Sequence, residues 1–562
     1  MSLLLNIGEA DFAALRSNNA YYADKTKILH ELVRDTGNKV TLFTRPRRFG
    51  KTLMMSMMEN FFSIRKDSRE IFDGLAVAED TDFCHKWMNR YPVLFISFKD
   101  VEGENFEGAY GMLKNKIADV CKDFAPVFQD APVDKDDLDI FLNLKATNTD
   151  ESKVKTALKT LMRMLQKVYG KPVILLIDEY DVPLAKASEK SDKDSDYYER
   201  MLDLIKGLMS SALKDNEFLK FAVITGCLRI AKESIFTGAN NFAAYSILDD
   251  EFSDYFGFTD AEVTDILTKA GRGDKADVVR EWYDGYNFGN SRVYCPWDVI
   301  NYVAALQKNK DAKPKNYWKN TSHNGILLTF AKRTDFCVSG KFETLLNGGT
   351  ITQPITDELT YGSLESSEDN LWSVILMTGY VTQAGELSDG EGIKLRIPNR
   401  EIASIFEDTV VRLFRETLDT AEQKAMMDAL WKGDEAEVSR CLSEFLWKTI
   451  SYNDYHEDYY HAFLAGIFVG LGYEVESNKE KGLGRPDILL KDLNNRRAII
   501  IEAKIAKRAE DMDAECQDAI SQIIKRRYTE GLYGYKDIWS YGVSFFQKQA
   551  QAKLFSHSEK TS

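Results

Sequence analysis

The chain is poor in cysteine: seven in 562 residues (Cys84, Cys121, Cys227, Cys295, Cys337, Cys441, Cys516), an odd number, widely scattered, with no C-x-x-C pair. That pattern excludes a zinc ribbon, a thioredoxin-like dithiol and a disulfide-stapled secreted scaffold, and a reducing cytoplasm is the expected compartment. An excess of basic charge is also missing. The 73 Lys+Arg stand against 88 Asp+Glu, so 73 − 88 = −15, which excludes a surface that coats nucleic acid throughout but leaves room for one locally basic groove. Long apolar runs are absent too. The most apolar stretch, Ala462 to Tyr473, is too short to cross a bilayer, and the N-terminal Met-Ser-Leu-Leu-Leu-Asn-Ile-Gly-Glu-Ala lacks the basic n-region and long apolar core of a signal peptide. A soluble protein without a membrane partner is expected. No repeat of fixed period and no low-complexity tract occur.

What is present is enough hydrophobic material, 44% of residues with 29% charged, for an ordinary folded protein of three or four domains. The first half alternates short apolar runs with amphipathic stretches, the rhythm of a parallel sheet covered by helices. Lys39 to Thr44, Pro92 to Phe98, Pro172 to Ile177 and Lys220 to Thr225 read as strands buried on both faces, and Leu53 to Ile64 and Val154 to Val168 as helices. From Asp250 the strand signals fade. Thr259 to Ala270 and Lys275 to Tyr283 read as short helices broken by Gly271-Arg-Gly273, then come glycine-containing acidic loops around Ser363 to Asp369 and Gly385 to Gly392 and a helical stretch from Arg400 to Ile450. The last part reads as a helix, a strand, a hairpin, another helix and a final strand near Trp539 to Phe546. The expected division is 1–249, an α/β unit with a parallel sheet; 250–310, a helical lid-like subdomain; 311–450, a mainly helical region with no chemistry assigned; and 451–562, a small α/β unit.

The first motif follows the first strand: Arg45-Pro46-Arg47-Arg48-Phe49-Gly50-Lys51-Thr52, opening a helix. This is most of G-x-x-x-x-G-K-[ST]: a glycine lets backbone N–H groups wrap phosphates, the lysine reaches the β/γ-phosphates, and the hydroxyl meets Mg²⁺ at a helix N-terminus. Arg45 stands where the first glycine belongs, and Arg47 and Arg48 add positive charge. Its acidic partner is Val173-Ile-Leu-Leu-Ile-Asp178-Glu179, in which Asp178 is expected to hold Mg²⁺ and Glu179 to polarise the attacking water. Asp181 is expected to cap or face solvent. Thr225, ending the fourth strand, is a candidate γ-phosphate sensor, with an ordinary strand-end turn as the alternative.

The second motif lies in the tail. Gly484-Arg-Pro-Asp487 and Ile501-Glu502-Ala-Lys504 sit on two strands joined by a polar turn, and strand alternation puts Glu502 and Lys504 on one face with Asp487 beside them. Two carboxylates and a lysine suit a hard cation, Mg²⁺ or Mn²⁺, and phosphodiester hydrolysis; a cross-strand salt bridge is the alternative. Glu457 is the preferred further ligand, with Glu476 second. His456 and His461, spaced i,i+5, do not make a zinc helix. Gln522 and Tyr528 are expected to support the site. Arg485, Arg496, Arg497, Lys507, Arg508, Lys525, Arg526 and Arg527 form a local basic excess able to follow a nucleic-acid backbone.

Taken together, Tyr21-Tyr-Ala-Asp24-Lys25-Thr26, Arg45 to Thr52, Ile177-Asp-Glu-Tyr-Asp181, Thr225 to Ser234, Trp282-Tyr-Asp-Gly-Tyr-Asn-Phe-Gly289, Gly484 to Asp487 and Ile501 to Lys504 resemble the AAA-ATPase-like proteins that carry a C-terminal PD-(D/E)XK nuclease-superfamily domain. The resemblance runs almost end to end, and in that family arginine at the first loop position is usual. It implies an α/β P-loop NTPase fold, AAA-like, with helices on both faces of a parallel sheet, followed by a helical region and a small restriction-endonuclease-like domain. The leading expectation is a cytoplasmic ATPase, with ATP and Mg²⁺ as cofactors, whose nucleotide state controls a nuclease acting on DNA; homo-oligomerisation is compatible with the chain. A nucleotide-dependent switch whose tail binds without cleaving is the runner-up, and a metabolic kinase the third reading.

Overall fold

The computed structural model describes residues 3–34, 38–190, 196–229, 242–318, 327, 338–346, 348–356, 359, 367–385, 392–417, 420–449, 460, 463–464, 467–468, 474–477, 486–530, 532 and 534–559. The chain forms two compact units, one built from 1–317 and 352–400 and the other from 318–351 and 401–562.

In the first unit, four apolar runs become β1 (Val40–Thr44), β2 (Val93–Ser97), β3 (Val173–Asp178) and β4 (Leu219–Gly226), joined by a short β5 (Phe242–Tyr245). All pair in parallel in the order β2-β3-β4-β1-β5. Residues alternate between faces along each strand. Leu42, Ile96, Leu175, Ile177 and Ile224 enter one core shared with the helices Phe106–Phe128, Glu151–Tyr169 and Tyr197–Leu213, while Phe43, Ile174, Leu176 and Val223 are buried on the opposite face. Burial of both faces explains why these strands read as continuous apolar runs.

Beyond the sheet, the expected helices occur as Asp260–Lys269 and Ala276–Tyr283, the first closed by a capping box between Thr259 and Glu262. A hairpin follows, β6 (Tyr286–Phe288) and β7 (Ser291–Val293), and then the helix Pro296–Lys308. A three-stranded sheet, β8 (Ile351–Gln353), β9 (Thr382–Gln383) and β10 (Ile393–Arg396), ordered β8-β10-β9, interrupts the region read as helical.

The stretch from Arg400 read as helical forms three helices, Arg400–Thr417, Thr420–Lys432 and Glu435–Thr449, which beyond Arg400 belong to the second unit. The mixed sheet of that unit contains β11 (Glu474–Ser477), β12 (Ile488–Asp492), β13 (Arg497–Ile505), β14 (Asp537–Phe546) and β15 (Gln549–Glu559) in sequential order. β13 and β14 run parallel across the intervening helix Met512–Arg526, and the other pairs are antiparallel. The final strand is therefore β15, not β14 as the sequence suggested. Among the described residues, no helix is long and apolar enough to cross a membrane, and six cysteines are present as thiols.

Candidate functional site

The segment Arg45 to Thr52 leaves the carboxyl end of β1, where ligands gather in open parallel sheets. Gly50 sits in the left-handed region at φ +83° as the residue before the helix Lys51–Phe62. A Cβ there would meet nothing within 4 Å, so backbone conformation rather than space favours glycine. Lys51 folds back over the loop, its Nζ donating to the carbonyls of Arg45 and Pro46 at 2.9 Å each, 3.8 Å from Cys227 Sγ. At the end of β3, the fully buried Asp178 accepts three hydroxyls: Thr52 at 2.9 Å, Thr225 at 2.5 Å and Ser97 at 3.4 Å. The next residue, Glu179, has φ +53°. Burial pushes its carboxyl upward; Lys51 opposes this, Asp178 and Asp181 add to it, and Arg47 also opposes it.

The three loop arginines have different surroundings. Burial works against the Arg47 charge, but Cys227, Asp181 and Glu179 outweigh it and hold its pKa above the usual value. Arg48 lies over the Trp297 ring, 3.8 Å from its centroid. Arg45 is fully buried and turned away: its guanidinium donates to the carbonyls of Thr44, Tyr245 and Phe252 and covers the rings of Phe256 and Phe288. Phe49 is buried against Tyr286 and Phe288, each 5.0 Å away between ring centroids. A cleft of about 290 Å³ opens beside the loop, walled by Tyr22 and Ala23, by Arg48 to Thr52 and Glu179, and by Phe258 and Trp297.

In the second unit, β12 and β13 pair Ile488 with Ile501, which sets Asp487 opposite Glu502. Both are buried, at 6% and 1% exposure; a carboxylate there is costly without partners. Asp487 Oδ2 accepts from the Ala503 amide at 2.7 Å, and Glu502 Oε1 accepts from Gln522 Nε2, which also lies 3.4 Å from the Tyr528 hydroxyl. Lys504, two residues beyond Glu502, shares its face and is partly exposed. Burial raises the Tyr528 pKa; Gln522 opposes this, while Glu502 and Asp487 add to it. The five residues Asp487, Glu502, Lys504, Gln522 and Tyr528 thus belong to one neighbourhood over the apolar patch of Leu489, Ile500 and Ile523.

Residues 6–236 match the family profile described as "Predicted AAA-ATPase", and residues 455–554 match the PD-(D/E)XK nuclease superfamily. The chain therefore carries an AAA-ATPase-like domain and, toward its C-terminus, a PD-(D/E)XK nuclease-superfamily domain. It is also similar, at 25% identity over 516 residues, 90% of this chain and 89% of the other, to a protein of Azotobacter chroococcum mcd 1 described as "Uncharacterized protein in vnfD 5'region".

Within the AAA-ATPase-like domain, two candidate residues have partners away from the loop. The buried Arg45 guanidinium donates to the carbonyls of Tyr245 and Phe252, 200 and 207 residues on in the chain, and lies over two aromatic rings. The Thr225 hydroxyl donates to Asp178 and accepts from the Glu179 amide at 3.3 Å, which ties it to the acidic pair. Asp181 neither caps the helix it precedes nor faces solvent: it is buried, and its Oδ2 receives the amides of Cys227 and Leu228 at 2.9 and 3.0 Å. The cleft wall was missed. Its signal was Tyr21 to Thr26, where Asp24 binds the Thr26 amide and hydroxyl at 2.9 and 2.6 Å and Lys25 reaches Asp254 O and Glu262, a clip that sequence spacing alone does not disclose.

In the nuclease-superfamily domain, Glu457, His456, His461 and Arg485 lie outside the described residues. Glu476 is bonded to Lys491 at 2.7 Å, a buried pair on β11 and β12. Among the described residues no group of three His, Cys, Asp or Glu is placed to hold a metal. The donor set that is described, two buried carboxylates, consists of hard oxygens and fits a divalent cation completed by water or a further carboxylate. Of the basic residues, Arg497 pairs with Asp492, Arg508 with Asp511 and Arg527 with Glu530, while Lys507 and Lys525 are exposed.

Proposed function

We propose that the protein is a cytoplasmic ATPase whose nucleotide state governs a metal-dependent nuclease acting on DNA phosphodiesters, a combination suited to defence against foreign DNA or control of mobile elements. The observation that carries this reading is the concentration of chemistry in two places on one chain: Thr52 and Thr225 converge on Asp178 beside Lys51, and Asp487 and Glu502 face each other beside Lys504. Residues 1–249 would form the ATPase domain, 250–310 its lid-like subdomain and 451–562 the nuclease-like domain.

At the loop, Lys51 exchanges two backbone carbonyls for phosphate oxygens, Arg47 adds charge, and backbone amides from Arg48 to Thr52 face the anion at the helix N-terminus. Thr52 and Asp178 would hold Mg²⁺, which supplies charge neutralisation between phosphates when bound. Glu179 orients the attacking water, and the adjoining cleft takes the nucleoside. In the tail, Asp487 and Glu502, with Glu457, would hold Mg²⁺ or Mn²⁺, which supplies a polarised water or a stabilised phosphate when bound. Lys504 faces the scissile phosphate, and Gln522 fixes the Glu502 carboxylate.

The raised Glu179 pKa has a kinetic consequence. Only the carboxylate form can take a proton from the attacking water, so ATP turnover falls on acidification with a midpoint above the ordinary glutamate range. A pH-rate profile checks this. Glu179→Gln abolishes turnover while leaving ATP bound, and a midpoint in the usual glutamate range in wild type contradicts the assignment.

The decisive experiment incubates the protein and Glu502→Ala with linear, circular and single-stranded DNA and with RNA, in Mg²⁺ or Mn²⁺, with and without ATP. Metal-dependent DNA cleavage lost in the variant is the expected result. ATP bound with no cleavage of any substrate would favour a switch that binds nucleic acid or protein without cutting it.

A further inference from the structure

The aromatic segment Trp282-Tyr-Asp-Gly-Tyr-Asn-Phe-Gly289 plays no part in either proposed reaction, yet it touches the phosphate loop, lies beside two of the places where the chain leaves the first compact unit, and is bonded to β9 of the sheet that holds the third. We propose that this segment and its hairpin carry nucleotide occupancy at the loop to the chain crossings at 317/318, 351/352 and 400/401; the proposal rests on the reading that Arg45 to Thr52 binds ATP.

On the loop side the contact is a wedge. Phe49, between Arg48 and Gly50, is 1% exposed and packs against both Tyr286 and Phe288, and Arg45 lies over Phe288 as well, 5.7 Å from its centroid. The Gly289 amide donates to Ile247 O at 2.9 Å, which ties the hairpin to the segment after β5. Side chains packed at this density shift together and do not yield one by one.

On the far side, each crossing has its own fastening. For 317/318, the Tyr283 hydroxyl donates to Lys315 O and accepts from Lys315 N, both at 3.0 Å, and its ring lies 6.1 Å from that of Tyr317. For 351/352, the Asn287 amide donates to Thr382 Oγ1 at 2.8 Å and its side chain to Gln383 O at 2.8 Å, while Gln383 Nε2 returns to Gly289 O at 3.1 Å; these bonds join the hairpin to the sheet whose β8 begins at Ile351. For 400/401, Arg396 donates to Gly285 O at 2.8 Å and to Pro398 O at 3.1 Å, and Arg400 lies over Trp282 and pairs with Glu281. Gly285, at φ +108°, is so close to Pro398 that a Cβ would stand 2.1 Å from its carbonyl oxygen. Across two of these peptide bonds, the Trp318 amide donates to the buried Glu401 at 2.9 Å, so two crossings enter the second unit as one knot.

A ligand moves such a linkage only if it favours one of two arrangements, and the phosphate loop supplies the differential contact: Lys51 must release the Arg45 and Pro46 carbonyls to reach phosphate. Phe49 lies between those two carbonyls and Lys51 in the chain, so a change in loop shape is felt at the wedge.

The test is hydrogen–deuterium exchange of peptides covering 400–417 in the full-length protein, with and without Mg²⁺ and ATP, alongside titration with a fluorescent ATP analogue. Thr382→Val keeps the side chain's shape and removes the acceptor for Asn287; Thr382→Ser keeps the acceptor; Arg396→Gln cuts the second link independently. ATP is expected to change exchange at 400–417 by about fivefold or more in wild type and Thr382→Ser, and by less than about twofold in Thr382→Val and Arg396→Gln, with analogue affinity unchanged in all four. Binding without an exchange change in wild type, or a full response in Thr382→Val, overturns the coupling and leaves the ATP-binding reading intact. Failure of wild type to bind the analogue overturns that reading and the coupling with it.

Discussion

Lys51→Ala is expected to weaken ATP binding about a hundredfold or more, because it removes a charge-assisted donor worth roughly 1.5–3 kcal/mol to each phosphate oxygen it meets. The side chain is 5% exposed and already held over the loop by two carbonyls, so little conformational freedom remains to be lost when phosphate takes their place. The substitution also leaves the Arg45 and Pro46 carbonyls without that donor, and a modest loss of thermal stability accompanies the loss of affinity. Lys51→Arg separates the two effects. It keeps the charge but brings a planar fork to a space shaped for a compact ammonium, so stability recovers more than affinity does. Isothermal titration of ATP against the three proteins, with melting curves in the absence of nucleotide, reads both quantities. Affinity in Lys51→Ala equal to wild type would mean that phosphate does not lie on this loop.

The same loop shows where sequence reasoning reaches its limit. Gly50, Lys51 and Thr52 were legible because their chemistry is local: a left-handed residue, a cation and a hydroxyl at the start of a helix after a buried strand. The surroundings of Arg45 were not, because its side chain is buried against carbonyls of Tyr245 and Phe252, 200 and 207 residues on in the chain. The partners of Thr225 were hidden for a related reason, since the end of β4 lies between those of β1 and β3 only once the order β3-β4-β1 is known.

The fold follows the same division. Strands β1 to β4 announce themselves because burial on both faces demands unbroken apolar runs, whereas β5 spans four half-buried residues and β9 only two. Such short pieces owe their extended state to a neighbour in the sheet. At the other end of the chain, β15 alternates polar with small or apolar residues only from Gln549 to Leu554 along a sheet edge, where one-sided pairing asks for no apolar run. Asp487, Glu502 and Lys504 were legible together because a hairpin register and a period of two suffice to bring them to one face.

That register gives the second large effect: Asp487→Asn is expected to lower metal-dependent cleavage about a thousandfold, equivalent to roughly 4 kcal/mol of transition-state stabilisation, with little change in melting temperature. The reasoning turns on what asparagine keeps. Its amide oxygen can still accept the Ala503 N–H that Asp487 Oδ2 accepts at 2.7 Å, so the strand pairing at this buried position survives. What it loses is the negative charge needed to attract a divalent cation next to Glu502. Asp487→Ala loses both, leaves the buried Ala503 amide without its acceptor and destabilises the domain by about 1–3 kcal/mol in addition. If the carboxylates served only to join strands, asparagine would behave like wild type and alanine alone would fail. If they hold a metal, both variants lose cleavage, but only alanine melts early, and titration with Mn²⁺ shows weakened binding in each. Comparing cleavage rate, Mn²⁺ affinity and melting temperature across the two variants therefore decides between a cross-strand tie and a metal site, and equal cleavage by asparagine and wild type would remove Asp487 from the proposed chemistry.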